Sequence, residues 1–275
     1  MFNNNQDREM RISKPKIYTL GLSLCVCGLL GASLRAQDKT KAAAYNGPKD
    51  KLHLYLLIGQ SNMAGRAPYT REESKVIERC YLLNDKDQWK PAKNPLNRYS
   101  TIRKGLGMQK MNPGYSFAKA ILAKNKGISL GLVVNAKGGT KIEQWKKGTR
   151  FYKEALRRTK AAQQEGVIKG ILWHQGESNK NNPDGYLDKL KSLIENIRKD
   201  LNEPRLPFVA GQVNNVPRIN EQIADLPQAV PFTGFVSSEG LKTMDRWHFD
   251  AASMKLLGQR YAEEMGKVQT KLKAK

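Results

Sequence analysis

The chain has 275 residues and a formal net charge of +23, because 48 lysine and arginine residues outnumber 25 acidic ones. This length is sufficient for one large domain with a buried core. Two of the three cysteines, Cys25 and Cys27, lie in an apolar N-terminal stretch. Only Cys80 follows it, so the rest of the chain cannot contain an intramolecular disulfide.

Residues 1–36 have the pattern of a signal peptide. A basic start precedes the apolar stretch 18–34, which is interrupted by glycines and is shorter than the roughly 20 apolar residues that span a bilayer. The small residues before Ala36 fit cleavage after that position. We therefore expect export to the periplasm or the cell exterior, without a stable membrane anchor after cleavage.

Residues 37–50 are rich in lysine and alanine and contain Gly47 and Pro48, and they are predicted to be a linker to a single domain at 51–275. Lysine and arginine are spread along this domain, and they are not interleaved with aromatic residues as in surfaces that stack bases. We therefore expect no nucleic-acid partner. The charge favours a solvated basic surface that can contact an acidic polymer.

Short apolar runs alternate with amphipathic stretches through the domain, which predicts alternating strands and helices. In chain order, the predicted elements are strands at 52–58 and 79–83, a helix at 114–125, a strand at 128–135, a helix at 150–165, a strand at 167–173, a helix at 184–202, a strand at 207–213, a helix at 218–226, a strand at 232–237 and a helix at 250–269. Such alternation predicts an α/β fold with a mostly parallel sheet covered on both faces. The proline-containing segment 84–113 lacks clear periodicity, and we expect it to be a loop near the substrate opening.

Two motifs near opposite ends of the domain can form one nucleophilic site. Gly59-Gln60-Ser61-Asn62-Met63 follows the first strand, and a serine at a strand-to-helix turn presents its hydroxyl outward. A hydroxyl needs an imidazole as base, and the imidazole needs a carboxylate that fixes its tautomer. Asp245 and His248 can supply both groups. Ser61 alone would also fit a helix N-cap, but its combination with His248 favours a serine hydrolase.

The ends of two inner strands carry a glycine pair and an amide. Gly138 and Gly139 allow a backbone N–H group to approach a ligand closely. The Gln175 side chain can donate to a carbonyl oxygen as it becomes an oxyanion. Because ligands of parallel sheets bind beyond the carboxyl ends of the strands, we expect these groups to lie beside Ser61.

His174 and Glu177 belong to the same polar cluster as Gln175. No further histidine or cysteine cluster completes a metal site with them, so no metal is expected. His174 is predicted to be a hydrogen-bonded structural residue, because it lacks the acid that His248 has three residues upstream.

Taken together, the four motifs resemble the SGNH-type hydrolases, more specifically the sialate O-acetylesterase and acetylxylan esterase group known as carbohydrate esterase family six. The resemblance extends from about Leu52 to Met265. It implies a three-layer α/β/α sandwich of the flavodoxin-like kind and no cofactor. It also implies that Ser61 is the nucleophile, His248 the base and Asp245 the orienting acid.

The same resemblance implies an oxyanion hole made by the backbone N–H groups of Ser61 and Gly139, with Gly138 as the alternative, and by the Gln175 side chain. The residues expected to bind substrate or support the site are Gln60, Asn62, Gly138, His174 and Glu177. For Glu177 three roles are open: it can shape the loop, bind sugar, or compete with Asp245 as the acid. Arg246 and Trp247 are bulkier than the family pattern between the acid and the base.

The predicted activity is removal of O-acetyl groups from a carbohydrate through an acetyl-enzyme on Ser61. The expected substrate is an acetylated oligo- or polysaccharide, and the basic charge extends the choice to acidic glycans. Two alternatives stay open, a lipid or aryl short-chain esterase on the same scaffold and a non-catalytic carbohydrate-binding protein. Preference for acyl groups longer than butyryl would favour the former, and binding without acetate release the latter.

Overall fold

The computed structural model describes residues 44–273. The predicted signal peptide at 1–36 and the first part of the predicted linker at 37–50 lie outside the described residues. Near the start of the described residues, the Tyr45 ring packs edge-on against Tyr81, with 5.3 Å between the ring centroids. Across residues 44–273, none of the helices is both long and apolar enough to cross a membrane.

In the described part of the chain, seven strands form one central sheet. They are β1 (Leu52–Gly59), β2 (Cys80–Leu83), β3 (Trp89–Pro91), β4 (Ser129–Val134), β5 (Val167–His174), β6 (Phe208–Gly211) and β7 (Thr233–Val236). Their spatial order is β3-β2-β4-β1-β5-β6-β7, and every neighbouring pair is parallel except β2 with β3. The predicted α/β fold with a mostly parallel sheet is confirmed.

Helices cover both faces of the sheet, because its buried strands direct alternate side chains into two apolar layers. Along β1, Leu54 and Leu56 pack on one face, and Tyr55 and Leu57 pack on the other. The first face is covered by α3 (Arg150–Ala162), α4 (Tyr186–Leu201), α5 (Pro217–Ala224) and α6 (Leu226–Ala229). The second face is covered by α2 (Gly114–Lys124) and α7 (Ala251–Lys273), and the short α1 (Ser61–Ala64) follows β1 directly.

In helix α4, the spacing of the apolar residues and the residues at its two ends define the element. Leu190, Ile194 and Ile197 recur at helical spacing and are all buried. Gly185 and Asn202 bound the helix in left-handed conformations, with φ of 65° and 57°. Glycine and asparagine are the residues that adopt this conformation most readily, so both ends follow from the sequence.

Within the predicted loop 84–113, the sequence pattern misses one strand. β3 returns antiparallel to β2 through a tight hairpin in which Asn84 Oδ1 accepts hydrogen bonds from the backbone N–H groups of Lys86 and Gln88. Asp87 completes the turn with φ of 56°. A strand of three residues is too short for a two-residue period to be visible.

Helix α7 packs closely on α2 at Gly258. A Cβ atom at this position would overlap the Ser116 hydroxyl and the carbonyl oxygen of Pro113. Gly266, further along the same helix, faces open space. The two glycines therefore form a matched pair for testing how the second helical layer is held.

We expect Gly258→Ala to lower the free energy of unfolding by about 1–3 kcal/mol, because the added methyl group meets a backbone oxygen that moves only if α2 shifts. Gly266→Ala should be neutral or stabilising by up to about 1 kcal/mol, because alanine favours the helix over glycine. Chemical denaturation of both variants measures the difference. Equal effects at the two positions would contradict the close packing of α7 on α2.

Candidate functional site

The carboxyl ends of β1, β4 and β5 meet the loop after β7, and a cavity of about 340 Å³ opens there. All four sequence motifs contribute to its lining, which consists of Gln60, Ser61, Arg66, Lys104, Met108, Gly138, Gly139, Glu177, Ser178, Lys180, Trp247 and His248. A larger cavity of about 450 Å³ lies near the amino ends of β1 and β5, beside His53. It contains none of the motif residues, so the chemistry is concentrated in the smaller cavity.

A tight turn after β1 positions Ser61. Gly59 has φ of 137°, and a Cβ atom there would overlap the backbone carbonyl of His174, so glycine is required. The Gln60 N–H group donates to the same carbonyl oxygen over 2.8 Å, which joins the turn to the end of β5. Ser61 follows as the first residue of α1 and is 7% exposed.

The Asp245 carboxylate organises the loop that carries His248. Its Oδ2 lies 2.7 Å from His248 Nδ1, and its Oδ1 accepts hydrogen bonds of 2.8 Å from the backbone N–H groups of Trp247 and His248. Burial acts to raise the pKa of Asp245, but these hydrogen bonds outweigh it and bring the pKa to about 2. The group is therefore a carboxylate at neutral pH, which favours a proton on Nδ1 of the neutral imidazole and leaves Nε2 as the basic nitrogen.

Ser61 and His248 line the same cavity. Within residues 44–273 no hydrogen bond joins the Ser61 hydroxyl to the imidazole, and such catalytic hydrogen bonds often form only when substrate is bound. The side chain of His248 is 24% exposed and that of Asp245 is 54% exposed. The Asp245–His248 pair is thus open to solvent on one side, whereas Ser61 lies deeper.

The Asn62 side chain connects the serine turn to the histidine loop. Its Nδ2 donates to the Trp247 carbonyl oxygen and to Glu177 Oε1, each over 3.0 Å. Its Oδ1 accepts a hydrogen bond of 3.2 Å from the Phe249 N–H group. Because Asn62 is fully buried, none of these partners has water as a substitute on that side. Asn62 therefore joins the turn that carries Ser61 to the backbone on both sides of His248.

Glu177 is a buried carboxyl group at the edge of the cavity. It is 4% exposed, its Oε1 accepts the hydrogen bond from Asn62, and its Oε2 has no hydrogen-bond partner among residues 44–273. Burial raises the pKa of Glu177 to about 7, although the hydrogen bond from Asn62 acts in the opposite direction. The carboxylate that contacts the His248 ring belongs to Asp245, and Glu177 contacts Asn62 instead.

The Gln175 side chain, which the sequence predicts to be an oxyanion donor, does not line the cavity. It is fully buried, and its Nε2 lies 3.1 Å from Gln60 Oε1, 2.9 Å from the Thr140 carbonyl oxygen and 2.8 Å from Asn179 Oδ1. An amide nitrogen has two hydrogens, so these acceptors leave none for a substrate oxygen. This arrangement speaks against Gln175 as an oxyanion donor, and the residue joins the segments that follow β1, β4 and β5.

Gly138 and Gly139 both line the cavity, and Gly139 has φ of 75° in the left-handed region that favours glycine. The segment that precedes them is fastened to the loop 84–113. Asn97 exchanges two hydrogen bonds of 3.0 Å with the backbone of Ala136. This attachment brings the loop to the mouth of the cavity, where Lys104 and Met108 contribute to the lining.

His174 supports the site from inside the core. It is fully buried, and its Nδ1 lies 3.2 Å from the Tyr261 hydroxyl, which donates to the Trp173 carbonyl oxygen. Burial lowers the pKa of His174 to about 3, so the ring is neutral. In the part of the chain that the structure describes, no three or more His, Cys, Asp or Glu residues are grouped to hold a metal ion.

Three cationic residues that the sequence motifs do not include also line the cavity: Arg66, Lys104 and Lys180. The Nζ of Lys180 lies 5.2 Å from the centroid of the Trp247 ring. In the sequence, Arg66 follows the serine motif closely and Lys180 follows Glu177. Because the chain has 48 lysine and arginine residues, the sequence does not distinguish these three as cavity residues.

The buried Glu177 carboxyl predicts a pH-dependent stability. Its pKa is about 7 in the fold, against an ordinary value of 4.5, so the folded state holds the proton more tightly than the unfolded chain. The wild-type protein therefore loses stability as the pH rises through this window, by about 3 kcal/mol in total. Glu177→Gln preserves the Oε1 acceptor for Asn62 and should not show this loss.

Denaturation of both proteins across that pH window measures the effect as the difference between their unfolding free energies. Glu143→Gln is a control of opposite sign. Burial raises the pKa of Glu143, but hydrogen bonds from Lys189 and Asn179 lower it below its ordinary value. Its replacement should therefore destabilise the protein at neutral pH and have no effect in acid. A difference between wild type and Glu177→Gln that does not change with pH would contradict the account of Glu177.

Comparison with known proteins identifies a matching family and a related protein. Residues 51–267 match the family described as carbohydrate esterase, sialic acid-specific acetylesterase. A probable carbohydrate esterase of Arabidopsis thaliana is 32% identical over 176 residues. That match covers 57% of this chain, and it spans about two thirds (66%) of the length of the plant protein.

Solved structures agree with the fold. The crystal structure of the same Arabidopsis thaliana protein has a TM-score of 0.73 and 26% identity, and the match covers 80% of this chain and 99% of that one. The structure of a carbohydrate acetylesterase from Xanthomonas citri has a TM-score of 0.57 at 20% identity, over 78% of this chain and 56% of that one. The second likeness concerns the fold alone.

The family match extends over most of the chain and includes all four motifs. It confirms the resemblance to SGNH-type carbohydrate esterases that the motifs indicated. This chain belongs to the carbohydrate esterase family described as sialic acid-specific acetylesterase.

Proposed function

We propose that this protein is a serine esterase that removes O-acetyl groups from carbohydrates. The observation that carries the proposal is the Asp245–His248 pair, joined over 2.7 Å, because His248 lines the same cavity as Ser61. Membership of the family supports an acetylated carbohydrate as the substrate. Export after cleavage behind Ala36 stays a prediction of the sequence.

In the proposed reaction, His248 Nε2 takes the proton from the Ser61 hydroxyl as Oγ attacks the acetyl carbonyl carbon. The tetrahedral intermediate collapses, His248 gives the proton to the departing sugar oxygen, and the acetyl group remains on Ser61. Water then attacks the acetyl-enzyme with His248 as base, which releases acetate and restores the serine. Asp245 orients the imidazole and stabilises its positive charge throughout.

Backbone N–H groups are the proposed oxyanion donors. The N–H group of Ser61 is at the first position of α1, where no preceding turn of the helix supplies an acceptor. The N–H group of Gly139 is the second donor, with Gly138 as the alternative, because both glycines line the cavity. A donor of this kind typically lowers the barrier by about 3–4 kcal/mol. Gln175 contributes only by supporting the turn that carries Ser61.

Acetate release from a panel of acetylated glycans tests the proposed activity, with sialic acid esters, xylan, pectin and sulfated algal polymers in the panel. A nitrophenyl ester series of increasing acyl length should show preference for acetyl. Preference for chains longer than butyryl would favour the lipid esterase alternative. Glycan binding with no acetate released from any substrate would favour the non-catalytic alternative.

Two substitutions test the assigned roles. Ser61→Ala should leave almost no turnover. Asp245→Asn should lower kcat by about 10³- to 10⁴-fold, because its amide nitrogen donates to Nδ1 and shifts the imidazole proton to Nε2. The asparagine oxygen can still accept both backbone hydrogen bonds, so the variant should fold, with a modest loss of unfolding free energy at neutral pH because the carboxylate of lowered pKa is gone.

Asp250→Asn is the matched control, because it makes the same chemical change nearby at a residue whose Oδ1 accepts from the Ser253 N–H group. It should keep the wild-type rate. Steady-state kinetics and denaturation of the three variants provide both readouts. Near-normal turnover by Asp245→Asn would rule out the proposed role of Asp245.

A further inference from the structure

The cavity carries more positive charge than the proposed hydrolysis requires. Arg66, Lys104 and Lys180 line it, and among its lining residues in the described chain Glu177 is the single acidic one. Within residues 44–273, none of the three cations forms an ion pair with a carboxylate. Their charge is therefore available to a ligand.

Arg66 is the strongest element of this surface, because its guanidinium is half-buried. Its Nη1 donates to the carbonyl oxygens of Gly65 over 2.7 Å and Met108 over 3.0 Å. Its Nη2 makes no hydrogen bond within the described protein. Burial without a counter-ion is unfavourable for a cation, and it lowers the pKa of Arg66. An anion that binds beside such a guanidinium is therefore stabilised by it.

The free Nη2 atom lies close to the reacting centre. A Cβ atom built at Gly138 would be 2.7 Å from Arg66 Nη2 and 3.5 Å from the Ser61 Cβ. The guanidinium and the nucleophile therefore approach the same glycine. A group bound by Arg66 would belong to the sugar that carries the ester or to its neighbour.

Lys104 lies beside the second glycine of the pair. A Cβ atom built at Gly139 would be 3.8 Å from Lys104 Nζ. The bond from Arg66 to the Met108 carbonyl fastens the loop that carries Lys104 to the serine turn. The two cations are thus parts of one connected rim, although Lys104 itself is exposed.

We propose that Arg66 and Lys104 form an anion subsite that binds a carboxylate or sulfate group on the O-acetylated sugar or on the sugar next to it. The proposal rests on the esterase function proposed above. A guanidinium presents donors in a fixed plane that matches a carboxylate or sulfate, and the lysine ammonium adds a mobile charge. Lys180 strengthens the positive field at the same opening.

The kinetic test uses substrates that differ in charge alone. The carboxylate pair is an acetylated methyl glucuronoside and its neutral methyl ester, and the sulfate pair is an acetylated methyl glucoside with and without a sulfate group. We expect kcat/KM of the wild type to favour the charged member, and this preference should fall about 10- to 100-fold in Lys104→Gln and Arg66→Gln. Arg66→Lys should keep part of it, and added salt should weaken it.

Lys124→Gln, which removes the same charge from the exposed end of α2, should leave the preference unchanged. The larger preference of the two substrate pairs identifies the anion as carboxylate or sulfate. Equal losses on charged and neutral substrates would overturn the proposal, because Arg66 and Lys104 would then act on the oxyanion or on the fold.

Binding without turnover separates this proposal from the esterase proposal. Calorimetry with Ser61→Ala and the non-acetylated glycosides should show tighter binding of the charged ligands, which Lys104→Gln weakens in the same background. Charge-dependent binding together with no acetate release would sink the esterase function and leave the subsite standing. Acetate release together with equal affinity for charged and neutral ligands would overturn the subsite alone.

Discussion

One buried amide, the Asn62 side chain, joins the segments that the chemistry needs. It follows Ser61 directly in the chain, and it bonds to the backbone on both sides of His248 and to Glu177. A buried donor or acceptor that loses its partner costs about 1–3 kcal/mol. Displacement of the histidine loop would break several such bonds together. The position of the His248 loop is thereby set by the residue next to Ser61.

The histidine loop combines an apolar anchor with a polar turn. Phe249 is fully buried and its ring packs edge-on against His174, with 5.9 Å between the ring centroids. Asp250 then begins α7 by accepting a hydrogen bond of 2.7 Å from the Ser253 N–H group. On the other side, Asp245 gathers two N–H groups and the imidazole at a half-exposed position. Burial fixes where the loop is attached, and hydrogen bonds fix how the imidazole is oriented.

Residue patterns predict most of the fold, and they predict that the motifs lie close together at one edge of the sheet. The apolar period locates the long elements, and parallel strands bring their carboxyl ends to one edge, so Ser61 and Gly139 could be expected to share a site. The short strand β3 is not predicted by the pattern, because three residues are too few to show an alternation of apolar and polar positions.

The sequence does not predict the direction in which a side chain points. Gln175 directly follows β5, and nothing in its motif shows that Gln60, Thr140 and Asn179 take its amide hydrogens. The role of Arg66 was hidden for a similar reason. Its importance comes from the missing counter-ion and from its nearness to Gly138, which are properties of the folded surface rather than of spacing.

In the proposed reaction, the Ser61 oxygen carries the acetyl group between acylation and hydrolysis. Rapid acid quenching during turnover of an acetylated glycan, followed by peptide mass mapping, measures this directly. The proposed reaction predicts one added acetyl group on the peptide that contains Ser61, and none on that peptide in Ser61→Ala. Sustained acetate release with the acetyl group on another residue, or with no acetylated protein at any time point, would contradict it.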